Sequence, residues 1–281
     1  MRRRRFLAAC LGGIVAPLGA GAHAASSAAR ETLPEGRYAA LFGDRSVTFE
    51  ALDLSTGRTF VVGPSRVDLR RTPWSTFKIP NLVIALETGV ARGLDHPIPW
   101  NPDRRPAASY WPAEWRRDQT LETAFRRSAA WAFQELAVAI GTERYREHLA
   151  RFGYGNRLVP PENDGFWLDG TLRISVREQV LFLRDLLGGR LGVRPATLDA
   201  LVRVSALDEQ PAATLHGKTG AGPAIPGRFD GAFEGWLVGF VVRRGAPSAI
   251  FALHVEGPTF RSIQRFRQEA AERLLREAGL F

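Results

Sequence analysis

Two lysines carry the chemistry this sequence offers. Of its 38 cationic side chains only Lys78 and Lys218 are lysine, and the others are arginine. A buried lysine can shed its proton and act as base or nucleophile, which arginine cannot do. Each sits in a motif with a use for such a group. In Pro73-Trp74-Ser75-Thr76-Phe77-Lys78-Ile79-Pro80 a hydroxyl precedes an amine by three residues. If Ser75 caps a helix, the two side chains share a face and can share a proton. Pro80 has no N–H for the Thr76 carbonyl, which predicts a tight, irregular first turn. Free N–H groups in such a turn suit negative charge developing near Ser75. Hydroxyl, adjacent base and oxyanion donors are the parts of an activated serine nucleophile. Downstream, Lys218-Thr219-Gly220 joins a cation, a hydroxyl and a backbone free of side-chain bulk. On an edge strand these could receive an acidic, extended substrate. Taken singly, Ser-x-x-Lys also fits a solvated helix face, and Lys-Thr-Gly a glycine-rich turn. The fall of both lysines into these two motifs favours chemistry.

The elements around the motifs change character along the chain. Residues 47–54 and 58–62 alternate as strands around Ser55-Thr56-Gly57, a hairpin signal. A helical pattern follows Ser75 and stops at Gly89. Residues 97–118, rich in Pro, Trp and Arg, read as a surface excursion. Helical segments follow over 121–127, 129–140 and 143–152, and Ser175-Val176-Arg177-Glu178 is a capping box opening another through residue 187. From about residue 212 the pattern returns to strands, with 236–243 and 249–255 flanking a second hairpin turn and a closing helix over 262–278. The architecture expected is α/β: an antiparallel sheet built from both chain ends (about 25–74 and 212–281), flanked by helices, with an inserted all-helical subdomain over about 75–211.

The first 24 residues read as an export signal rather than as part of this fold. Arg2 to Arg5 form a positive region, an apolar stretch follows, and Ala22-His23-Ala24 fits a small-x-small cleavage site. The arginines leave both the general secretory and the twin-arginine route open, and the expected location is the periplasm. The single cysteine, Cys10, would leave with the signal, so the remaining chain is expected to have no disulfide, thiolate chemistry or cysteine–zinc site. Without Arg2 to Arg5 the net charge of +9 falls by four, and the rest is spread along the chain with no dense basic run interleaved with aromatics, which argues against nucleic acid. The five histidines show no metal-ligand spacing.

Ser-x-x-Lys followed far downstream by Lys-Thr-Gly resembles the penicillin-recognising serine enzymes. Four further stretches resemble their class D β-lactamase branch. These are Ser128-Ala129-Ala130, Phe152-Gly153-Tyr154-Gly155-Asn156, the Phe166-Trp167 segment and Gly235-Trp236. The resemblance runs from about residue 37 to the C-terminus, and the Ser-Asp-Asn motif of class A enzymes is absent. It implies that Ser75 attacks a lactam carbonyl and is acylated. Lys78 would take up CO2 as a carbamate, the source being dissolved CO2 or bicarbonate, and would serve as general base; no other cofactor or metal is implied. Trp167 would donate its indole N–H to that carbamate, and Ser128, beside Lys218, would relay a proton to the lactam nitrogen. The N–H groups of Ser75 and Ala221 would form the oxyanion hole. Lys218, Thr219, Gly220 and an arginine near the last helix would hold the substrate carboxylate. Arg267 fits that register best, with Arg261 and Arg265 as rivals, and Tyr154 and Asn156 are expected among the binding residues.

Three residues depart from the resemblance. Ala130 stands where a Val or Ile usually lines the carbamate pocket, and should admit more water. Trp74 stands where a small residue precedes the nucleophile, and should narrow the entrance or reposition the pocket. His254 stands where Asn is typical. The expected partner is a small β-lactam, with no membrane attachment after signal removal, the chain being a monomer or homodimer. A sensor domain that is acylated without turnover, or a peptidoglycan transpeptidase or carboxypeptidase, would share the same nucleophile.

Overall fold

The computed structural model describes residues 29–162 and 164–281; the expected export signal over residues 1–24 and Cys10 lie outside the described residues. Strand β1 (Arg30–Thr32) and the short helix α1 (Ala39–Phe42) precede a hairpin of β2 (Ser46–Asp53) and β3 (Thr59–Val62). Its turn is closed locally, the Asp53 carboxylate accepting from the Ser55 N–H at 2.8 Å and the Ser55 hydroxyl at 2.7 Å. Helix α2 (Lys78–Glu87) follows, then a two-residue ladder of β4 (Pro97–Ile98) on β5 (Gln119–Thr120), which closes off the excursion between them. Helices α3 (Leu121–Arg127), α4 (Ala130–Ile140), α5 (Thr142–Phe152), α6 (Val176–Leu187) and α7 (Pro195–Ser205) come next. The chain returns to the sheet in β6 (Ala206–Gln210), β7 (Ala213–Pro223), β8 (Phe233–Arg243) and β9 (Ala246–Gly257), and ends in α8 (Phe260–Gln264) and α9 (Phe266–Glu277).

Both chain ends build one seven-stranded sheet in the order β1-β3-β2-β9-β8-β7-β6. Every pairing is antiparallel except β1 on β3. Its two faces bury separate cores. Along β8, Trp236, Val238 and Phe240 face the helical layer, while Leu237 and Val241 face the terminal helices. Side chains alternate across a pleated strand, so a strand covered on both sides reads as a continuous apolar run. Helix α2 is apolar all round because it runs through the middle of the helical layer, with Lys78 to Leu86 all buried.

The structure amends three expectations. Ser75 does not cap a helix: residues Trp74–Phe77 form a 3-10 turn, with no side-chain cap, that runs into α2. That turn is the tight start Pro80 predicts. The sheet resumes at Ala206, earlier than residue 212, and α7, which opens with Pro195 at its first position, precedes it. The closing helix divides at Arg265. The edge position expected for Lys218-Thr219-Gly220 holds. Strand β6 pairs only as far as His216, so Lys218 to Gly222 has β8 on one side and no strand on the other.

Candidate active site

The nucleophile turn explains why Ser75 and Lys78 meet. In a 3-10 turn residues i and i+3 eclipse, and here the Lys78 amine donates to Ser75 Oγ at 2.9 Å. Lys78 is 0% exposed, and its Nζ stands 5.3 Å from the centre of the Phe133 ring. Burial first, and the charge of Lys218 second, push its pKa well below the usual lysine range. Burial thus works against the charged form of this amine. The Trp167 ring stacks on Phe77 at 5.3 Å, and its indole Nε1 is buried with no hydrogen-bond partner. A buried donor left unpaired costs free energy, and here it lies one ring away from Lys78's own turn.

The second wall is the C-terminal end of α3, where the Phe125 ring faces Lys218 and Ser128 follows. Ser128 ends α3 in the left-handed region at φ 59°, its N–H bonded to the Phe125 carbonyl at 3.1 Å. Tryptophans brace this strained turn from outside. Trp115 Nε1 donates to the Arg127 carbonyl at 2.9 Å, and Trp131 Nε1 donates to the Trp115 carbonyl at 2.8 Å. The Phe125 ring in turn faces Lys218, 5.8 Å from its Nζ.

The third wall is the free half of β7. Lys218 is buried, while Thr219 and Ala221 are partly exposed. Burial, with Arg267 second, lowers the Lys218 pKa to about 7, and burial lowers Arg267 to about 10. Arg267 Nη1 donates to the Gly220 carbonyl at 3.0 Å, whereas Arg261 and Arg265 are exposed. Of the three rivals only Arg267 reaches β7. A cleft of about 220 Å³ opens beside Lys218 and Thr219, bounded by Phe125, Arg126 and Leu207. Two cationic groups so close, Lys218 and Arg267, with burial opposing their charge, make a place suited to an anion.

Gly220 lets β7 press against the nucleophile turn. A Cβ there would stand 2.9 Å from the Pro73 carbonyl oxygen and 3.2 Å from the Ser75 nitrogen. Gly220→Ala is expected to cost about 1–3 kcal/mol in urea unfolding, because the first neighbour is backbone and cannot rotate away. A stability within 0.3 kcal/mol (~0.3) of wild type would show that the turn and strand yield freely.

Tyr154 and Asn156 do not line the cleft. Tyr154 is 0% exposed, and its hydroxyl reaches Gln179 Oε1 at 3.4 Å. Asn156 spends its side chain on the loop holding Trp167, donating to the Thr171 carbonyl at 2.8 Å and accepting from the Arg173 N–H at 3.0 Å. Asn156 thus shapes the segment that carries Trp167, while Tyr154 packs edge-on against Phe77 behind the nucleophile turn. Ala130 opens α4 partly exposed, one turn before Phe133. Trp74 is 7% exposed and lies beneath β7 instead of at the entrance. Sequence reasoning missed Gln179, whose amide donates to Thr76 Oγ1 at 3.1 Å behind the nucleophile. It also missed Glu234. Neither belongs to a motif, and only strand register and helix docking bring them near Ser75. Among the described residues no cluster of three His, Cys, Asp or Glu could hold a metal.

A family model described as the penicillin binding protein transpeptidase domain matches residues 55–278. The chain is 36% identical over 221 residues to a probable β-lactamase, YbxI, of Bacillus subtilis, covering 78% of this chain and 79% of that protein. Among solved structures it matches a class D β-lactamase, YbXI from Nostoc, with a TM-score of 0.78 and 29% identity over 88% of this chain and 98% of that one. It also matches the C-terminal domain of the BlaR penicillin receptor of Bacillus licheniformis, with a TM-score of 0.79 and 25% identity over 91% and 98%.

Proposed function

The chain belongs to the penicillin-binding transpeptidase-domain family, in its class D β-lactamase branch, and from that premise we propose that it opens β-lactam amides through an acyl-enzyme on Ser75 with a carboxylated Lys78 as general base. One observation carries this reading: a fully buried amine, its pKa pushed well down, lies 2.9 Å from the serine hydroxyl. A neutral amine is the form that adds to CO2, losing a proton as the N–C bond forms. The resulting carboxylate, when present, is a base close enough to serve both Ser75 and a deacylating water. The unpartnered Trp167 indole N–H supports the assignment, being a buried donor that this carboxylate would satisfy.

The other residues take roles that follow from position. Ser75 Oγ attacks the lactam carbonyl as its proton leaves for the base. Negative charge on the carbonyl oxygen is met by the N–H groups of Ser75 and Ala221, which Gly220 keeps side by side. The lactam C–N bond breaks, and Ser128 passes a proton to the departing nitrogen. Lys218, Thr219 and Arg267 hold the substrate carboxylate, and a cation is worth most in a cleft with this little water. Water then attacks the Ser75 ester, gives its proton to the base, and the hydroxyl of Ser75 is restored. We read the chain as exported to the periplasm on residues 1–24; no helix among the described residues is long and apolar enough to cross a membrane.

The likeness to a penicillin receptor domain keeps a second reading in view, a domain that is acylated and stays so. Turnover of a chromogenic cephalosporin with and without added bicarbonate separates them. Sustained hydrolysis that rises with bicarbonate is the expected result. The small Ala130 should make that rise larger, because water reaching the carboxylate favours loss of CO2. One stoichiometric burst that stops, with bicarbonate present, would instead mark a sensor.

A further inference from the structure

Trp74 has a conformation that needs an explanation. Its φ is 51°, in the left-handed region that bulky residues avoid. Such a residue persists only where its surroundings over-determine it. Here the indole Nε1 donates to Glu234 Oε1 at 2.7 Å. The second oxygen, Glu234 Oε2, lies 3.1 Å from His254 Nε2. Glu234 is 1% exposed and His254 6%, so both carboxylate oxygens are engaged away from water. The His254 ring meets Trp236 edge-on at 4.6 Å, and Trp236 Nε1 donates to the Thr72 carbonyl at 2.9 Å.

These contacts share one face of the sheet. Glu234 and Trp236 are two apart on β8, and His254 is registered opposite Trp236 on β9. The sheet thus grips the chain at Thr72 and at Trp74, on the approach to Ser75. On the same face, the Trp74 ring covers Gly222, registered opposite Glu234, where a Cβ would collide with it. The two departures at Trp74 and His254, far apart in sequence, are halves of one device.

We propose that Trp74, Glu234 and His254 form a buried positioning chain that sets the direction of the Ser75 N–H and Oγ. The proposal rests on Ser75 being the nucleophile. Trp74 is a positioning residue, since it touches the turn and not the reacting atoms. With Trp74 held left-handed, the next peptide unit sets the Ser75 nitrogen against Gly220 on β7, where a Cβ would stand 3.2 Å from it, the side where the oxyanion must form. Releasing the indole lets that peptide rotate, and a small misplacement of a reacting group costs far more in rate than in binding.

The test uses Trp74→Phe, Glu234→Leu and Glu234→Gln in the full mature chain, with a chromogenic cephalosporin. Burst amplitude and intact mass count the acylated sites, and stopped-flow gives the acylation rate constant of that active fraction. Trp74→Phe keeps a ring but loses the donor, and Glu234→Leu loses the acceptor. Both are expected to acylate about tenfold or more slowly, with the substrate half-saturation changed less than threefold (about threefold at most). Glu234→Gln retains an acceptor for the indole and should return to within about threefold of wild type. A merely structural role would lower the active fraction or the Tm and leave the rate constant of the folded fraction untouched; that result overturns the proposal. Should Glu234→Leu fail to fold, Trp74→Phe decides alone. If wild type itself forms no adduct at Ser75, it is the catalytic reading that fails.

Discussion

Lys78→Ala is expected to end multiple turnover, lowering kcat by about 10²–10⁴-fold, the usual contribution of a positioned general base. Ser75 would remain in its 3-10 turn, because the turn is made by backbone and by Thr76, whose N–H and hydroxyl both donate to the Pro73 carbonyl, at 3.1 and 2.6 Å. Any acylation that survives should therefore be followed by a stalled ester, visible by intact mass as one adduct per chain. Lys78→Arg sharpens the result. It restores a cationic side chain of similar reach, but a guanidinium does not become neutral and cannot take up CO2. If the role of Lys78 were only to place positive charge beside Ser75, Arg would rescue. The expected outcome is no rescue and no response to bicarbonate. Normal turnover in either variant would remove Lys78 from the mechanism.

Lys218→Met is expected to make the protein more stable and less able to bind substrate. The unfolded lysine stays protonated up to its ordinary value of 10.5, whereas in the fold burial and Arg267 lower that to about 7. Between those values the unfolded chain holds the extra proton, so stability contributed by this site rises with pH across that window. Below pH 7 (about 7) the fold carries the whole penalty of sheltering this amine, on the order of a few kcal/mol at about 1.4 kcal/mol per pH unit. Methionine fills similar volume without charge, and its gain should be largest near pH 6 (~6) and fade toward the unfolded lysine value. Denaturant unfolding across that range measures it. Equal stability of variant and wild type at the acid end would show that Lys218 is not depressed. In the same variant KM for an anionic lactam should rise, since a carboxylate loses a partner on β7. A site that costs the fold stability yet is kept is the usual mark of function.

Much of the site was legible because its key spacing is local. Ser75 and Lys78 stand at positions i and i+3, and any helical turn brings such a pair to one face. The Pro80 signal for an irregular start translated into the 3-10 turn that aligns them. The capping box at Ser175 and the hairpin at residues 53–58 are likewise written in neighbouring residues, whose side chains satisfy nearby backbone groups. Tyr154 and Asn156 show the limit. Their motif marks them as important, but burial turns one inward to Gln179 and spends the other on the loop that carries Trp167.

The sequence by itself determined the chemistry on offer: which side chains could lose a proton, which hydroxyl stood beside one, and a sheet made from the two chain ends. It could not decide how far Lys78 is sheltered from water, because that depends on Phe133 and Phe77, brought to it from another helix and from its own turn. Nor could it pair Trp74 with Glu234 and His254, 160 and 180 residues away. Strand register and helix packing, set by the burial of two separate cores, bring those groups together. Desolvation and long-range hydrogen bonds are properties of that packed arrangement, which no short stretch of the chain contains.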